Sequence, residues 1–484
     1  MKKYDLIILG TGSGMNFVNE LIDRKPDINI AVIDKDAPGG ICLTRGCIPS
    51  KLLLYPAELI RDIESAGEFG INVDIQNIDF KKVMDSMRDK ISSDIEMIRQ
   101  GLSESKNVDY YPEVAEFIEP YKLKVGNETI SSDMIFICTG SKPIIPPVKG
   151  LYEVGYLTSD TVLDMDTLPE NLAVIGGGYI AAEYGHFFSA MGSSVTLIGR
   201  NPQFIPQEEP EISALSQRKM SDYMKIHTNH EAVEVQKEGN KKKLVFKDRS
   251  SGTHKEVVVD EILVATGRGP NSDILRPDKG GIKTDNKGWI EVDNHLETSM
   301  SNVWALGDAN GKYLFKHVAN YESGIVFQNA VLKRDIEVDY HAVPHAVFSY
   351  PEIAGVGIRE KDAIDTYGED NILIGFYSYE ETAKGQAMNA EDYFVKIIME
   401  QNSEKILGAH IIGPHASILI HQVIPLMYTP DQSPAPIMNS MTIHPSLSEV
   451  VTHAFYFAMP VYHYHHILGH MGQDNYTGYS NNNS

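Results

Sequence analysis

The stretch YDLIILGTGSGM, residues 4–15, indicates the fold class, because a short apolar run of buried-strand type ends directly in closely spaced glycines. Residues 17–22 then show helical spacing, residues 28–33 form a second apolar run, and Asp34 follows it. Strand, glycine turn, helix, strand and acid in this order are typical of a parallel α/β unit that binds a dinucleotide. The sequence therefore predicts such a unit at its N-terminus.

The residues of this turn have distinct physical roles. Gly10 allows the tight turn after the strand, and Gly12 lets the backbone approach a pyrophosphate. The N-terminus of the following helix offers free N–H groups to the same pyrophosphate. Asp34 is suitably placed to accept a ribose hydroxyl. Met15 stands where this fingerprint has its third glycine.

The same pattern starts again in the middle of the chain. An apolar run over residues 172–175 leads into GGGYIA, residues 176–181, in which small Ala181 takes the third glycine place. A helix is predicted to about Met191, and a further strand over 194–198. A repeated fingerprint is far more specific than one copy, and it predicts two nucleotides held so that they can exchange a hydride.

The end of that second strand carries Gly199 and Arg200 where the ribose-binding acid is expected. An arginine at this place can accept a 2′-phosphate, which favours NADPH over NADH. The alternative is that Arg200 is a solvated surface charge, because residues 201–207 contain no second basic residue.

Two of the three cysteines lie five residues apart in GGICLTRGCIPSK, residues 39–51. On a regular helix five residues advance about 7.5 Å and reach different faces, whereas a disulfide needs Cα atoms within roughly 4.4–6.8 Å. If Cys42 and Cys47 bond, the start of the helix must be bent, and a strained bond is easily reduced. We therefore predict a working dithiol/disulfide.

Cys138 lies in an apolar strand and is interpreted as a small buried hydrophobic residue.

Length and composition set outer limits on the function. The 484 residues predict roughly two to four domains. A formal net charge of −23 argues against nucleic acid or an anionic membrane as a partner. No apolar run reaches the ~18–20 residues that a membrane helix needs, and the start of the chain shows no signal-peptide pattern. Three cysteines make no disulfide framework, so we expect a cytoplasmic protein.

Three further apolar strands end in small or acidic residues. Residues 134–140 end in Thr139 and Gly140, and the run from 261 ends in a second Thr-Gly pair at Gly267. Residues 303–308 end in Gly307 and Asp308, an acid placed to bind ribityl hydroxyls or, alternatively, to cap a helix.

The last part of the chain, from about residue 340, alternates strands and helices without a glycine fingerprint and predicts an α/β interface domain. His444 precedes Glu449 by five residues, so this carboxylate can orient the imidazole. A histidine cluster near the end could be read as a metal site, but its place before a polar tail favours a solvated or frayed terminus, so we predict no metal. Its members are His463, His465, His466 and His470.

Together these motifs resemble the class I pyridine nucleotide–disulfide oxidoreductases over residues 4 to about 460. The resemblance implies an α/β fold with two Rossmann-like domains, for FAD and for NAD(P)H, and a C-terminal α/β dimerisation domain that forms a homodimer. The implied division is 1–152 and 285–339 for the FAD domain, 153–284 for the NAD(P) domain, 340–470 for the interface domain, and 471–484 for a flexible polar tail.

The resemblance also assigns roles by position. The implied FAD contacts are Gly10, Gly12, Gly14, Asp34, Gly40, Thr139, Gly140, Gly307 and Asp308. The implied NAD(P) contacts are Gly176, Gly178, Tyr179, Arg200 and Gly267, with Tyr179 covering the flavin until the nicotinamide arrives.

The catalytic roles follow from the same resemblance. Cys47 faces the flavin, and Cys42 exchanges with the substrate sulfur. Lys51 and Glu183 form an ion pair beside the flavin ring. His444, held by Glu449, moves the proton in the active site of the partner subunit.

Several activities fit this pattern. Dihydrolipoyl dehydrogenase comes first because it is the commonest activity of the architecture, with free dihydrolipoamide or a lipoyl domain as partner. Arg200 and Tyr179 favour the alternative, an NADPH-dependent reductase of a low-molecular-weight disulfide. Other possibilities are a non-catalytic flavoprotein redox sensor, which would have lost the dithiol chemistry, and a soluble transhydrogenase, which would not need the cysteine pair.

Overall fold

A computed structural model describes residues 1–470 of the chain. Its strands are β1 (Lys2–Tyr4), β2 (Leu6–Leu9), β3 (Ile30–Ile33), β4 (Val108–Tyr111), β5 (Ala115–Glu119), β6 (Lys122–Val125), β7 (Glu128–Ser132), β8 (Ile135–Ile137), β9 (Ser141–Pro143), β10 (Leu157–Thr158), β11 (Asn171–Ile175), β12 (Ser194–Ile198), β13 (Lys225–His227), β14 (His230–Glu238), β15 (Lys241–Asp248), β16 (His254–Val259), β17 (Glu261–Val264), β18 (Arg268–Pro270), β19 (Val303–Ala305), β20 (Pro344–Val347), β21 (Ile353–Gly357), β22 (Ile372–Ser378), β23 (Phe394–Glu400), β24 (Ile406–Ile412) and β25 (Ala458–Pro460).

The α-helices are α1 (Val18–Arg24), α2 (Gly40–Thr44), α3 (Cys47–Ser65), α4 (Phe80–Glu104), α5 (Leu151–Val154), α6 (Tyr179–Met191), α7 (Pro210–Met220), α8 (Ser272–Leu275), α9 (Lys316–Val326), α10 (Glu360–Tyr367), α11 (Ala383–Ala387), α12 (Ala416–Leu419), α13 (Ile424–Met427), α14 (Ala435–Met438), α15 (Ser448–Tyr456) and α16 (Val461–His470). Within residues 1–470, no helix is both long and apolar enough to cross a membrane.

The first dinucleotide fold is a parallel sheet with the strand order β19-β8-β2-β3-β4. Its central strands are continuous apolar runs because both faces of the sheet are covered. The single strand expected over residues 4–9 is divided at Asp5, whose carboxylate accepts a hydrogen bond from the Asn29 backbone. As a result β1 joins a second sheet, ordered β1-β7-β6-β5, and only β2 enters the parallel one.

The second dinucleotide fold repeats this plan with the order β10-β17-β11-β12-β13, again all parallel. Helix α6 begins at Tyr179, directly after the second glycine turn, so this side chain stands at the end of β11. An antiparallel meander, β14-β15-β16, follows β13 and returns the chain to β17. The two glycine turns thus lie at equivalent places in two parallel sheets.

The C-terminal domain is built on a six-stranded antiparallel sheet in the order β20-β21-β24-β23-β22-β25. Residues 416–427 are helical but are divided into α12 and α13, with a 3-10 turn between them. Pro425 accounts for the break, because it has no N–H group to donate to the preceding turn.

Two helices from the first fold support the dithiol segment. Helix α3 begins at Cys47 and packs against α6 of the second fold, while α4 presents Met84, Met87 and Ile91 to the same core. Asp79 caps α4 by accepting a hydrogen bond from the Lys82 backbone at 2.9 Å. This packing fixes the dithiol segment against the second nucleotide domain.

Candidate active site

A single cavity of about 1830 Å³ runs past both glycine turns to the edge of the C-terminal domain, where Pro344 and His345 line it. This is larger than the ~300–1,000 Å³ of an ordinary small-molecule site, so it can accept more than one ligand. The residues singled out from the sequence that line it are Gly10, Gly12, Asp34, Gly40, Cys42, Cys47, Lys51, Thr139, Gly140, Gly176, Gly178, Tyr179, Glu183, Arg200, Gly267, Gly307 and Asp308.

Three of the residues to which the resemblance assigns catalytic or cofactor roles do not line this cavity. Gly14 packs beneath the turn, where a Cβ would lie 2.5 Å from the sulfur of Cys138, the residue that follows β8. His444 and Glu449 lie in the C-terminal domain, outside the described lining of this cavity. The structure therefore brings together the dithiol and both nucleotide turns, but not the proposed base.

The first glycine turn has the shape that a dinucleotide needs. Gly10 has φ +108°, and a Cβ there would lie 2.3 Å from the Cys138 carbonyl oxygen. A Cβ on Gly40 would lie 2.6 Å from the Cα of Gly12, so bare backbone from two segments meets at the cavity wall. The hydroxyl of Thr139 is buried there and has no hydrogen-bond partner within residues 1–470. These features fit FAD.

Asp34 holds the first turn together from within. Its carboxylate accepts hydrogen bonds from the Thr11 backbone at 2.8 Å and from the Thr11 hydroxyl at 2.5 Å. The same hydroxyl accepts the Gly39 N–H at 3.0 Å, which links the turn to the dithiol segment. The role of Thr11 could not be predicted from the sequence, because only the glycines are recognised positions of the fingerprint.

Asp308 follows β19, the edge strand of the first sheet. Ser141 donates a hydrogen bond to its carboxylate, and Arg268 in turn donates to the Ser141 hydroxyl at 2.7 Å. Burial raises the pKa of Asp308 despite this hydrogen bond and the charge of Arg268.

The dithiol segment contains the bend that the cysteine spacing requires. Helix α2 ends at Thr44 and α3 begins at Cys47, so the two cysteines belong to separate helices. Gly46 makes this possible, because a Cβ there would lie 2.8 Å from the Ile41 carbonyl oxygen. Both cysteines are free thiols in the structure.

The pKa values of the two thiols are shifted in opposite directions. The Cys42 thiol donates a hydrogen bond to Cys47, and this bond together with the positive charge of Lys51 lowers the pKa of Cys47 to about 6, against the opposing effect of burial. The same hydrogen bond, with burial, raises the pKa of Cys42 above the usual range. Cys47 is thus the thiolate of the reduced pair. Lys316, whose charge partly offsets the rise at Cys42, was not singled out from the sequence.

An ion pair links the two nucleotide folds beside Cys47. The Lys51 ammonium lies 2.9 Å from both carboxylate oxygens of Glu183, a residue of α6. Glu183 also accepts the Phe348 N–H at 3.1 Å, and the Lys51 nitrogen lies 4.7 Å from the centre of the Phe348 ring. All three parts of the chain therefore meet beside the thiolate.

Near the second nucleotide turn lies a group of charged side chains from segments that are distant in the sequence. Arg200 and Arg249 each bring Nε to 3.8 Å from one oxygen of Glu231, and Lys247 lies 3.9 Å from the other. Strand pairing sets Lys247 opposite Glu231, and Arg249 donates to the Arg200 carbonyl at 3.1 Å. The second basic residue missing from 201–207 is supplied by the β14–β16 meander.

The proposed base is oriented as the sequence predicts. His444 Nδ1 lies 2.8 Å from Glu449, which also accepts the Ser446 N–H at 3.0 Å. These two hydrogen bonds, with His444 first, lower the pKa of Glu449. The His444 side chain is 71% exposed, so its other nitrogen is free to meet a group from outside this chain's cavity.

The histidine-rich segment behaves differently from the expectation of a solvated or frayed end. Residues 461–470 form α16, which buries Tyr464 and Leu468 and sets His465 2.6 Å from Glu360. His463 and His466 are exposed, as expected. Apolar side chains at 461, 464 and 468 explain the correction, because their spacing gives the helix a buried face. The proposed tail, 471–484, lies outside the described residues.

A buried carboxylate cluster next to this helix has the spacing of a metal site but already holds a cation. Oxygens of Glu209, Glu211 and Glu360 lie within 4.8 Å of one another. The Lys396 ammonium, which is fully buried, lies 2.8, 3.0 and 2.6 Å from them in that order. Lys396 therefore supplies the positive charge that a metal ion would bring.

Comparison with known families agrees with this geometry. Residues 4–326 match the pyridine nucleotide-disulphide oxidoreductase model, and residues 343–455 match the dimerisation domain of the same family. The chain belongs to this family. Its members use FAD and NAD(P)H to oxidise or reduce sulfur groups, so the predicted fold class, cofactors and enzyme class are confirmed.

Individual relatives carry two different activities. Mycothione reductase of Mycobacterium tuberculosis is 34% identical over 465 residues, covering 94% of this chain and 99% of the relative. Dihydrolipoyl dehydrogenase of Thermus scotoductus is 30% identical over 453 residues, covering 93% and 96%. A solved oxidoreductase of this kind, the HOCl-induced flavoprotein disulfide reductase RclA from Escherichia coli, superposes with a TM-score of 0.82 at 26% identity, covering 94% of this chain and 99% of that one.

Proposed function

We propose that this FAD-dependent disulfide oxidoreductase works as an NADPH-dependent reductase of a low-molecular-weight disulfide. The observation that carries the proposal is the group of Arg200, Lys247 and Arg249 at the end of β12, where three cations surround one carboxylate. The excess positive charge suits a 2′-phosphate, for which guanidinium groups are the preferred partners.

The cofactor would lie along the first glycine turn, held by Thr139, Asp34 and Asp308. Bound FAD supplies the redox relay between nicotinamide and dithiol. Cys47 meets it as a thiolate, because its lowered pKa leaves it ionised at neutral pH. Cys42 then serves as the thiol that exchanges with the substrate disulfide, and Lys51 holds the positive charge that keeps Cys47 ionised.

His444 is proposed to act in the active site of the partner subunit of a homodimer. Its exposure and its orientation by Glu449 support this role, because a base buried in its own chain could not reach across an interface. Met441 and Ile443, which precede it, are 100% and 78% exposed. Exposed apolar residues of this size favour a protein partner at this surface.

A second function, dihydrolipoyl dehydrogenase, is favoured by Glu231. Its carboxylate lines the cavity beside the end of β12 and could accept the ribose hydroxyls of NAD⁺ in place of the acid that Gly199 and Arg200 replace. Free dihydrolipoamide or a lipoyl domain would then be the partner of Cys42.

One comparison of rates separates the two functions. kcat/KM is measured with NADPH or NADH and a panel of small disulfides, including the mycothiol and glutathione disulfides, and with NAD⁺ or NADP⁺ and dihydrolipoamide. We expect the largest value for NADPH with one of the disulfides. A higher value for NAD⁺ with dihydrolipoamide would assign the second function instead.

Anaerobic titration tests the dithiol chemistry that both functions share. Two electrons should give a species with a long-wavelength absorption band, which arises when the Cys47 thiolate lies against the flavin. Cys42→Ser should abolish disulfide turnover and leave flavin reduction by the nicotinamide largely intact. If the band is missing, the protein is a redox sensor or a transhydrogenase. If Cys42→Ser still turns over a disulfide, Cys42 is not the thiol that exchanges with the substrate.

A further inference from the structure

Glu208 is an enclosed carboxylate that joins the second nucleotide fold to the C-terminal sheet. Its side chain is 0% exposed. Tyr179 donates its phenol hydroxyl to one carboxylate oxygen at 2.8 Å, and His345 Nε2 lies 2.9 Å from the same oxygen. One atom of Glu208 therefore holds both the first residue of α6 and a residue of β20.

The Tyr179 ring is also held on its face. The rings of Tyr179 and His345 are nearly parallel, 10° apart, with their centres separated by 5.8 Å. Phe315 continues the stack behind His345, at 6.3 Å and 14°. A Cβ on Gly355 would lie 2.6 Å from His345, so the absence of a side chain there makes room for the imidazole. Tyr179 is thus fixed at its hydroxyl and along its ring.

The charges of this pair reinforce the hydrogen bonds. Burial alone would raise the pKa of Glu208, but the adjacent His345 and the hydrogen bond from Tyr179 bring it below its usual range. Burial would lower the pKa of His345, and the carboxylate of Glu208 overcomes this and raises it. Separating this buried ion pair would be strongly unfavourable, because each charge would remain buried without a partner of opposite charge.

Glu208 cannot follow Tyr179 if the ring moves, because its own segment is anchored. The next residue, Glu209, contacts the buried Lys396 ammonium at 2.8 Å and accepts the Glu360 N–H at 2.7 Å. The Glu208 carboxylate is therefore a fixed point on the C-terminal domain. A displacement of Tyr179 has to break the hydrogen bond.

We propose that Glu208 and His345 are positioning residues that hold the Tyr179 ring across the entrance to the flavin. The nicotinamide reaches the flavin only when the Tyr179–Glu208 hydrogen bond breaks. A stronger hydrogen bond therefore raises the nucleotide concentration at which flavin reduction is half-saturated. The inference rests on the proposed function and on the role that the family resemblance implies for Tyr179, which is to cover the flavin until the nicotinamide arrives.

The test is a double-mutant cycle on flavin reduction in the FAD-loaded protein, followed anaerobically with NADPH and with NADH. Tyr179→Phe removes the hydroxyl and keeps the ring. We expect the half-saturating nucleotide concentration to fall about tenfold, the size of one hydrogen bond to a charged acceptor, with the maximal rate unchanged. Glu208→Gln should shift it in the same direction, and His345→Ala should do so through loss of the stack.

The cycle distinguishes positioning from a merely structural role. If Glu208 acts through the hydroxyl, Glu208→Gln has no further effect on the half-saturating concentration in the Tyr179→Phe background. The matched control is Tyr464→Phe, which removes a phenol hydroxyl that donates to another buried carboxylate, Glu211, at 3.0 Å, where neither residue lines the cavity. It should lower the melting temperature without changing the nucleotide concentration dependence.

Failure of the inference differs from failure of the proposed function. Normal flavin reduction with fully additive effects, or with no effect of Tyr179→Phe, would overturn the positioning role alone. A wild-type flavin that neither nucleotide reduces would overturn the proposed function and this inference with it. Disulfide turnover does not enter the measurement, so the identity of the substrate does not affect the result.

Discussion

The two nucleotide folds share one backbone plan and differ in where their polar anchors come from. At the first turn, Thr11 and Asp34 lie within one strand–helix–strand unit and contact each other directly. At the second, Arg200 meets Glu231 and Arg249, which a separate meander brings to the end of β12. Backbone docking sets this arrangement, because His230 donates to the Gly199 carbonyl at 2.9 Å and Asn229 to the Asn201 carbonyl at 2.7 Å.

The two sites show that only the phosphate-binding part of a nucleotide site is formed in both folds by residues close together in sequence. The phosphate end needs bare backbone at a tight turn, and a short glycine motif supplies that wherever it occurs. The ribose end needs side chains of chosen charge, and these can come from any segment that reaches the strand end. The following changes test the shared part first and the separate parts afterwards.

The shared backbone plan predicts the largest effects. A Cβ on Gly10 would lie 2.3 Å from the Cys138 carbonyl, and one on Gly176 would lie 2.2 Å from the Ala265 carbonyl. Gly10→Ala should weaken FAD binding, and Gly176→Ala nicotinamide binding, each about 100-fold, because overpacking and backbone strain each cost about 1–3 kcal/mol. FAD content and nucleotide dissociation constants measure this. Unequal losses would show that the two turns are not equivalent.

The local anchor of the first site gives the next effect. Asp34→Ala removes two hydrogen bonds from the first turn and should weaken FAD retention about 30-fold, since two bonds with a net contribution of about 1 kcal/mol each give a change of that size. Dialysis of the purified protein followed by measurement of FAD content tests this. Asp34→Asn, which keeps an acceptor, should lose less FAD. Equal loss in both variants would argue that charge, and not hydrogen bonding, holds the turn.

These anchors also mark how far the sequence could predict the molecule. The helix predicted to reach about Met191 is α6, which ends at that residue, and β12 has the predicted bounds at both ends. Glycine turns, cysteine spacing and the His444–Glu449 pair are short-range patterns, and all of them occur as local structures.

Contacts between distant segments could not be predicted in the same way. Arg249 reaches Arg200 only through the docking of the meander on β12, and no spacing in the sequence encodes that register. Glu208 and His345 meet because two domains pack together. A pair of acids between two prolines, residues 206–210, was a visible signal, but nothing in the sequence indicated its partner.

The distant anchor of the second site should decide nucleotide choice. Arg249→Ala removes one cation beside Arg200 and should lower the ratio of kcat/KM for NADPH over NADH about 20-fold, mostly through KM for NADPH, because a guanidinium–phosphate contact is charge-assisted. The matched control is Lys142→Ala, which removes an exposed cation paired with Asp273. If the NADPH preference survives in Arg249→Ala, the 2′-phosphate does not bind between these arginines.

The link between the two folds should appear in the chemistry of the thiolate. Lys51 lowers the pKa of Cys47, which is about 6 with Cys42 as hydrogen-bond donor. In a Cys42→Ser background, where the serine hydroxyl can donate instead, Lys51→Met should raise this pKa by about one unit. As the pH is lowered, the rate of Cys47 alkylation should therefore begin to fall at a higher pH than it does when Lys51 is present. The rate of reaction with iodoacetamide between pH 4 and 9 measures the shift, and an unchanged midpoint would assign the low pKa to the hydrogen bond alone.

Glu231 gives the smallest effect, and its sign decides between the two proposed functions. Its carboxylate lies between the side chains of Arg200 and Arg249, which are 73% and 37% exposed, so solvent screens the contacts and each contributes little to stability. If the arginines hold a 2′-phosphate, Glu231→Gln removes a competing negative charge and raises kcat/KM for NADPH about threefold. If Glu231 itself accepts the ribose hydroxyls of NAD⁺, the same change lowers kcat/KM for NAD⁺ and leaves the value for NADPH unchanged. Measuring both nucleotides on the same protein preparation separates these outcomes, because a general loss of folding would lower both values together.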